Sequence, residues 1–185
     1  VVVLVPGTEV TLAEARVPGR TRQRLLRAIP YALEEQLAAD VEALHFALGP
    51  ATDGDQYPVA VVDRSNMDAW AELLRENGIQ AEQMIPETLA LPTGADWNLM
   101  AEGDDVLVRS GDYAGFALDI RNLPVLFSLF QAKVRLPETA QVFGSTVLDL
   151  EAVGVEVFDD RAQPLEVLAR GWAQVPGINV LLGAD

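Results

Sequence analysis

Cysteine is absent from this 185-residue chain, histidine occurs once, and the only lysine is Lys133. Without cysteine neither a disulfide framework nor a thiolate metal site can form, and the composition suits a reducing compartment. With one lysine in that position, no Gly-x-x-x-x-Gly-Lys-Ser/Thr can be written and a P-loop is excluded. The lone histidine, His45, would have to be the base for any serine nucleophile, and no serine stands in a Gly-x-Ser-x-Gly elbow. Also missing is any apolar run near the ~20 residues a membrane helix needs. The longest, Leu123 to Phe130, is interrupted by Pro124 and Ser128. No initiator methionine or signal-peptide pattern opens the chain. Val1-Val2-Val3-Leu4-Val5 reads instead as a buried strand, so the sequence is expected to begin inside a larger protein.

What is present suits one large domain or two small ones. Apolar residues make up 50% of the chain, enough for a core that removes roughly 70% of the chain's surface from water. The net charge of −15 argues against nucleic acid as a partner. That charge is uneven. Residues 1–30 hold Arg16, Arg20, Arg22, Arg24 and Arg27 against two acids, a balance of +3. Residues 31–105 hold sixteen acids against Arg64 and Arg75, a balance of −14. A solvated acidic surface and a surface for a basic partner are both consistent with this.

Hydrophobic periodicity gives the elements. Thr8 to Val17 reads as a strand closed by Pro18-Gly19. Leu26, Ile29, Leu33 and Leu37 recur at helical spacing, predicting an amphipathic helix from Arg20 to about Asp40, kinked or broken at Pro30. Leu26, Leu33 and Leu37 are expected to pack on Leu44 and Phe46, which alternate along a strand from Ala43 to Leu48. That alternation turns His45 to the opposite face, toward solvent or a partner. Tyr57 to Asp63 is a further strand, and a helix follows, started at Ser65 and stopped at Gly78. Beyond the proline-bounded segment Pro86 to Pro92 the composition changes, which places a boundary near residue 90. Shorter strands follow, with helices over Leu123–Lys133 and Pro164–Trp172. Strands and helices mix without strict alternation, so the class is α/β or mixed α+β.

Few residues could carry chemistry. Asp104-Asp105 and Asp159-Asp160 could bind a cation only as isolated carboxylate pairs, and such pairs near turns are ordinarily solvated. Gly111-Asp112-Tyr113-Ala114-Gly115 is the one glycine-bearing loop that could cradle phosphate, or could be a plain hairpin. The charges on the first helix are more informative. Its arginines lie toward the positive end of the helix dipole, and Glu34, Glu35 and Asp40 toward the negative end. Each placement costs ~0.3–1 kcal/mol in one continuous helix. Either Pro30 divides the segment, or the charges serve a partner.

The stretch Leu25 to Ala47, centred on Pro30-Tyr31-Ala32-Leu33-Glu34-Glu35-Gln36-Leu37, resembles the signature segment of type II secretion system protein L (GspL). Ile85-Pro86-Glu87-Thr88-Leu89-Ala90-Leu91-Pro92 and the closing Asn179-Val180-Leu181-Leu182-Gly183 match it more weakly, with Leu182 where the family usually has glutamine. The resemblance implies an offshoot of the actin-like ATPase superfamily, akin to the pilus-assembly protein PilM. It implies a strand–helix–strand–strand interaction module with flanking strands over 1–90, and a second ribonuclease-H-like domain over 91–185. The first such domain would be truncated. Active members carry an Asp-x-Gly phosphate motif that should fall at Val108-Arg109-Ser110-Gly111-Asp112-Tyr113, where Arg109 takes the aspartate's place.

The resemblance therefore implies a scaffold without cofactor, metal or catalytic residues, on the cytoplasmic face of the bacterial inner membrane. Full-length relatives continue past a site like Asp185 into one membrane helix. The implied partners are the N-terminal domain of the secretion ATPase GspE, platform proteins such as GspM and GspF, and a second copy in a homodimer. Glu34, Glu35, Asp40 and Glu42 are the expected partner-binding residues. The runner-up is an actin-like protein with weak or regulatory ATP binding.

Overall fold

The computed structural model describes residues 1–19, 21–52, 54–133, 137–144, 150, 154–175 and 177–183. Arg20 and Asp185 lie outside them. The chain forms two units, Val1–Pro86 with Gly177–Asp185, and Glu87–Pro176.

In the first unit, β1 (Val2–Val5) pairs in parallel with β5 (Gln83–Pro86). An antiparallel sheet is ordered β2 (Val10–Arg16), β4 (Gln56–Asp63), β3 (Leu44–Leu48). Helix α1 (Arg22–Leu33) packs on one face of it, giving the strand–helix–strand–strand order β2–α1–β3–β4. The core stripe of α1 is Leu25, Ile29 and Leu33, spaced by four, set against Leu44, Phe46, Val59 and Val61. Leu33 is fully buried as expected, whereas Leu26 and Leu37 are half-buried at the margin. Pro30 neither breaks α1 nor ends it at once. The α-helix runs on to Leu33, then tightens into a single 3-10 turn, Glu34–Gln36, before Leu37 becomes extended. The proline removes one rung of the hydrogen-bond ladder and crowds the carbonyl of Leu26, both in the turn before it, and the helix continues for one turn beyond it but ends well short of Asp40.

Helix α2 (Arg64–Glu76) is capped by Asp63, whose carboxylate accepts from the Ser65 N–H at 2.8 Å, so the cap lies two residues before the serine that the sequence suggests. Gly78 (φ 64°) closes the helix in the left-handed conformation that favours glycine. The closing segment returns to this unit. Val180–Leu182 forms a 3-10 turn, Gly183 bridges Ala47, and the Asn179 side chain accepts from the Met84 N–H at 3.0 Å.

In the second unit a five-stranded sheet has the order β10 (Glu156–Asp160), β9 (Thr139–Phe143), β6 (Trp97–Glu102), β7 (Asp105–Arg109), β8 (Gly115–Asp119). Strands β6, β7 and β8 form an antiparallel meander, and β9 and β10 add in parallel. One face packs Trp97, Leu99, Val106, Val108 and Val142 against Leu123 and Phe127 of α4 (Leu123–Lys133). The short α3 (Glu87–Ala90) lies against β7 and against α5 (Pro164–Gln174). Interior strand β7 is therefore covered on both faces, and Val106 to Arg109 are all buried.

Candidate functional site

Arg109 ends β7 and has no exposed surface. Its guanidinium donates to four main-chain carbonyls. Leu89 and Leu91 accept from Nη1 at 2.6 and 2.5 Å, Gly111 from Nε at 3.1 Å, and Asp112 from Nη2 at 2.7 Å. Burial pushes this guanidinium below its ordinary pKa, while nearby Asp112 and Tyr113 raise it. Arginine still keeps its proton, so a full charge sits in the interior, solvated by carbonyl dipoles in place of water.

The surrounding chain is shaped to this charge. Across the ladder from Arg109 stands Gly115, where a Cβ would come within 2.4 Å of the Val108 carbonyl oxygen. The loop between them closes as a hairpin, with the Ser110 N–H donating to the Ala114 carbonyl at 2.9 Å. On α5, Gly171 lets the main chain of residues 90–92 pass so closely that a Cβ would meet the Ala90 oxygen at 2.2 Å. A phosphate cradle needs N–H groups converging on an anion. This loop instead turns the carbonyls of Gly111 and Asp112 onto an internal cation. It is the hairpin of the two sequence readings, braced by the arginine.

The four acids expected to bind a partner lie in the first unit. Glu34 and Glu35 occupy the exposed 3-10 turn after α1, and Asp40 caps a second 3-10 turn, Val41–Ala43, accepting from the Glu42 N–H at 3.0 Å. Glu42 is exposed, and its carbonyl accepts from Arg64 Nε at 3.1 Å. His45 does not face solvent freely. Its Nε2 lies 2.7 Å from the Val180 carbonyl, and its ring packs so tightly on Gly183 that a Cβ there would lie 1.9 Å from Cε1. Asp160 accepts from the Ala162 N–H and from Arg170, which together lower its pKa. Among the described residues, no three His, Cys, Asp or Glu side chains cluster as a metal site, and no helix is long and apolar enough to cross a membrane.

The family model for the type II secretion system protein L matches residues 1–177. The chain belongs to that family. It is 37% identical over 118 residues to type II secretion system protein L of Dickeya chrysanthemi, a match covering 63% of this chain and 29% of that one. To the Klebsiella pneumoniae protein of the same name it is 34% identical over 130 residues, covering 70% and 32%. The chain thus spans about a third or less of the length of these protein L relatives. Among solved structures, the cytoplasmic domain of EpsL, an inner-membrane component of the type II secretion system of Vibrio cholerae, aligns at TM-score 0.79 and 23% identity, over 97% of this chain and 76% of that one. A chain of the PilM–PilN type IV pilus biogenesis complex aligns at 0.55 and 18% identity, over 91% and 68%. The mixed α/β fold of protein L is therefore shared with the pilus protein to which the sequence resemblance tied it.

Within protein L, sequence reasoning located Arg109 but not its partners. The carbonyls of Leu89 and Leu91 come from the proline-bounded segment, which carried no sign of this role. The available signal was an arginine closing the otherwise apolar run Val106-Leu107-Val108.

Proposed function

We propose that this chain is a non-catalytic scaffold of the type II secretion inner-membrane platform that recruits the secretion ATPase GspE through the ATPase's N-terminal domain. The observation that carries this reading is the buried Arg109. The family resemblance expects a magnesium-holding aspartate of active members at this position, and the adjoining loop directs its carbonyls to the guanidinium instead. The chemistry of the site supports structure, not phosphate transfer. Its place in the cell would be the cytoplasmic face of the inner membrane, beside GspM and GspF.

In this reading the strand–helix–strand–strand module docks the ATPase, and Glu34, Glu35, Asp40 and Glu42 meet a basic face on it. Their exposure and the −14 balance of residues 31–105 support that choice. Exposed charges of this kind act mainly on encounter rate. The test mixes this chain with the N-terminal domain of GspE in a stopped-flow instrument at two salt concentrations. Saturable association is expected, slowed at low salt by Glu34→Gln with Glu35→Gln. Absence of association overturns the recruiting role. Calorimetry tests the alternative of regulatory nucleotide binding, because saturable micromolar ATP–Mg binding would end the scaffold-only reading.

A further inference from the structure

We infer that β10 is a docking edge, to which a partner protein adds an extended segment carrying basic, apolar and basic side chains at alternate positions. β10 ends the order of the five-stranded sheet and pairs with β9 on one side. The Glu156 N–H donates to the Glu138 carbonyl, and the Asp160 carbonyl accepts from the Gly144 N–H. Main-chain groups alternate in direction along a strand. Those of Glu156, Phe158 and Asp160 therefore turn toward β9, and those of Val157 and Asp159 turn outward. Among the described residues, the outward N–H and carbonyl groups of Val157 and Asp159 have no partner. The opposite edge, β8, is half-buried along its whole length, whereas Glu156, Phe158 and Asp159 are exposed.

An unpaired edge is a template for another strand, and its side chains select which one. On one face β10 presents an acid, an aromatic ring and an acid, Glu156, Phe158 and Asp160. Phe158 is 47% exposed, so an apolar neighbour has ring surface left to cover. The same face opens on a cleft of about 350 Å³, lined by Phe158 and Asp160 together with Asn98, Gln141, Phe143 and Arg170. Arg170 is engaged at home, donating to Asp160 at 2.9 Å with its guanidinium over the Phe143 ring. Among the described residues, Glu156 and Asp159 have no ion-pair partner. The edge therefore keeps uncompensated negative charge.

Like charges directly opposite one another destabilise a strand pair. A second copy of β10 would set acid against acid, so the occupant is a different, basic chain. Added antiparallel, its central apolar side chain meets Phe158 in a pair without main-chain hydrogen bonds, where side chains approach most closely. Its two cations then face Glu156 and Asp160. The residues between them exchange main-chain bonds with Val157 and Asp159. This edge belongs to the second unit and uses none of Glu34, Glu35, Asp40 and Glu42.

The test is calorimetric titration of the whole chain with the end-blocked peptide Thr-Lys-Val-Leu-Val-Lys-Thr, beside a version with glutamate for both lysines. Saturable binding of the lysine peptide is expected with a Kd below about 1 mM, and binding of the glutamate peptide at least about tenfold weaker. Asp159→Pro removes an outward N–H and no bond to β9, a change that edge strands tolerate. It should weaken the lysine peptide about tenfold or more. Circular dichroism checks its fold. If the fold is lost, a lysine peptide methylated on both valine nitrogens tests the same hydrogen bonds on the natural chain. Glu156→Lys should weaken the lysine peptide severalfold and strengthen the glutamate peptide. No saturable binding of the lysine peptide overturns the proposal and leaves the acids as guards against edge-to-edge aggregation. So does binding that survives both Asp159→Pro and methylation, which is plain attraction to a chain of net charge −15. Equal binding of the two peptides overturns it as well. No ATPase is present, so a failure of recruitment leaves these outcomes unchanged.

Discussion

The loop after β7 and the turn after α1 both carry charge that runs against local expectation, and they resolve it in opposite ways. At Arg109 one cation is fully enclosed and all its identified acceptors are main-chain carbonyls. At Glu34 and Glu35 two anions stand in water. A buried charge is tolerable only when its hydrogen bonds are nearly complete, and then the backbone around it becomes dependent on it. An exposed charge of the same magnitude is worth ~0–1 kcal/mol to the fold and is free to serve encounter with another molecule. The first region is fixed by its charge, and the second is merely decorated by it.

The sharpest way to break this contrast is to place at position 109 the aspartate that the family resemblance led one to expect there. Arg109→Asp should remove at least about 3 kcal/mol, since four carbonyls lose their donor and a carboxylate is buried among them. Urea unfolding measures it, and a folded variant that gains ATP–Mg binding would mean the loop was never committed to the arginine. In the first unit the comparable dependence is apolar. Leu33 is fully buried, and Leu33→Ala should cost about 2–5 kcal/mol in the same assay. An unchanged midpoint would show that the helix is held by other contacts. Glu34→Gln with Glu35→Gln should shift stability by no more than about 0.5 kcal/mol. A larger loss would move these acids into the same class as Arg109.

The smallest expected effect is a pH dependence. Side-chain and main-chain hydrogen bonds from Arg121 hold the half-buried Asp119 carboxyl at about 2, below its ordinary 3.8. A carboxylate with a depressed folded pKa contributes stability above its unfolded pKa and loses it as pH falls through the folded value. Arg121→Ala should therefore be slightly less stable than the natural chain at about pH 5, and the gap should close toward about pH 2. A gap that persists at the acid end would assign the effect to something other than this pair.

Most of the fold was legible because it rests on short-range pattern. The alternation of Leu44, Phe46 and Leu48 places the β3 strand, and the helical spacing before Pro30 places α1, with its end displaced because a proline disturbs the turn before it more than the turn after. Which apolar residues line the core was less legible. Leu25 and Leu26 are adjacent, and only the packed sheet selects the first. The expectation for His45 failed for a related reason. Alternation tells which face a side chain takes, but the group covering that face is supplied 135 residues later, by the Val180 carbonyl. At the candidate loop, the sequence identified the arginine but could not reveal that main-chain carbonyls from two separate segments converge on it.

That late contribution bears on the order in which the chain can mature during synthesis. Every strand of the five-stranded sheet leaves the ribosome as one continuous run, Glu87–Pro176, and can close on itself. The first unit is made earlier but completed afterwards, when Asn179 reaches the Met84 N–H and Gly183 bridges Ala47. Bridging so long a stretch adds little entropy cost, about 0.6 kcal/mol for each doubling of loop length. The delay is vectorial: a nascent chain that has emerged from the ribosome only as far as residue 176 would carry a finished second unit and a first unit whose His45 and Met84 still lack their acceptors.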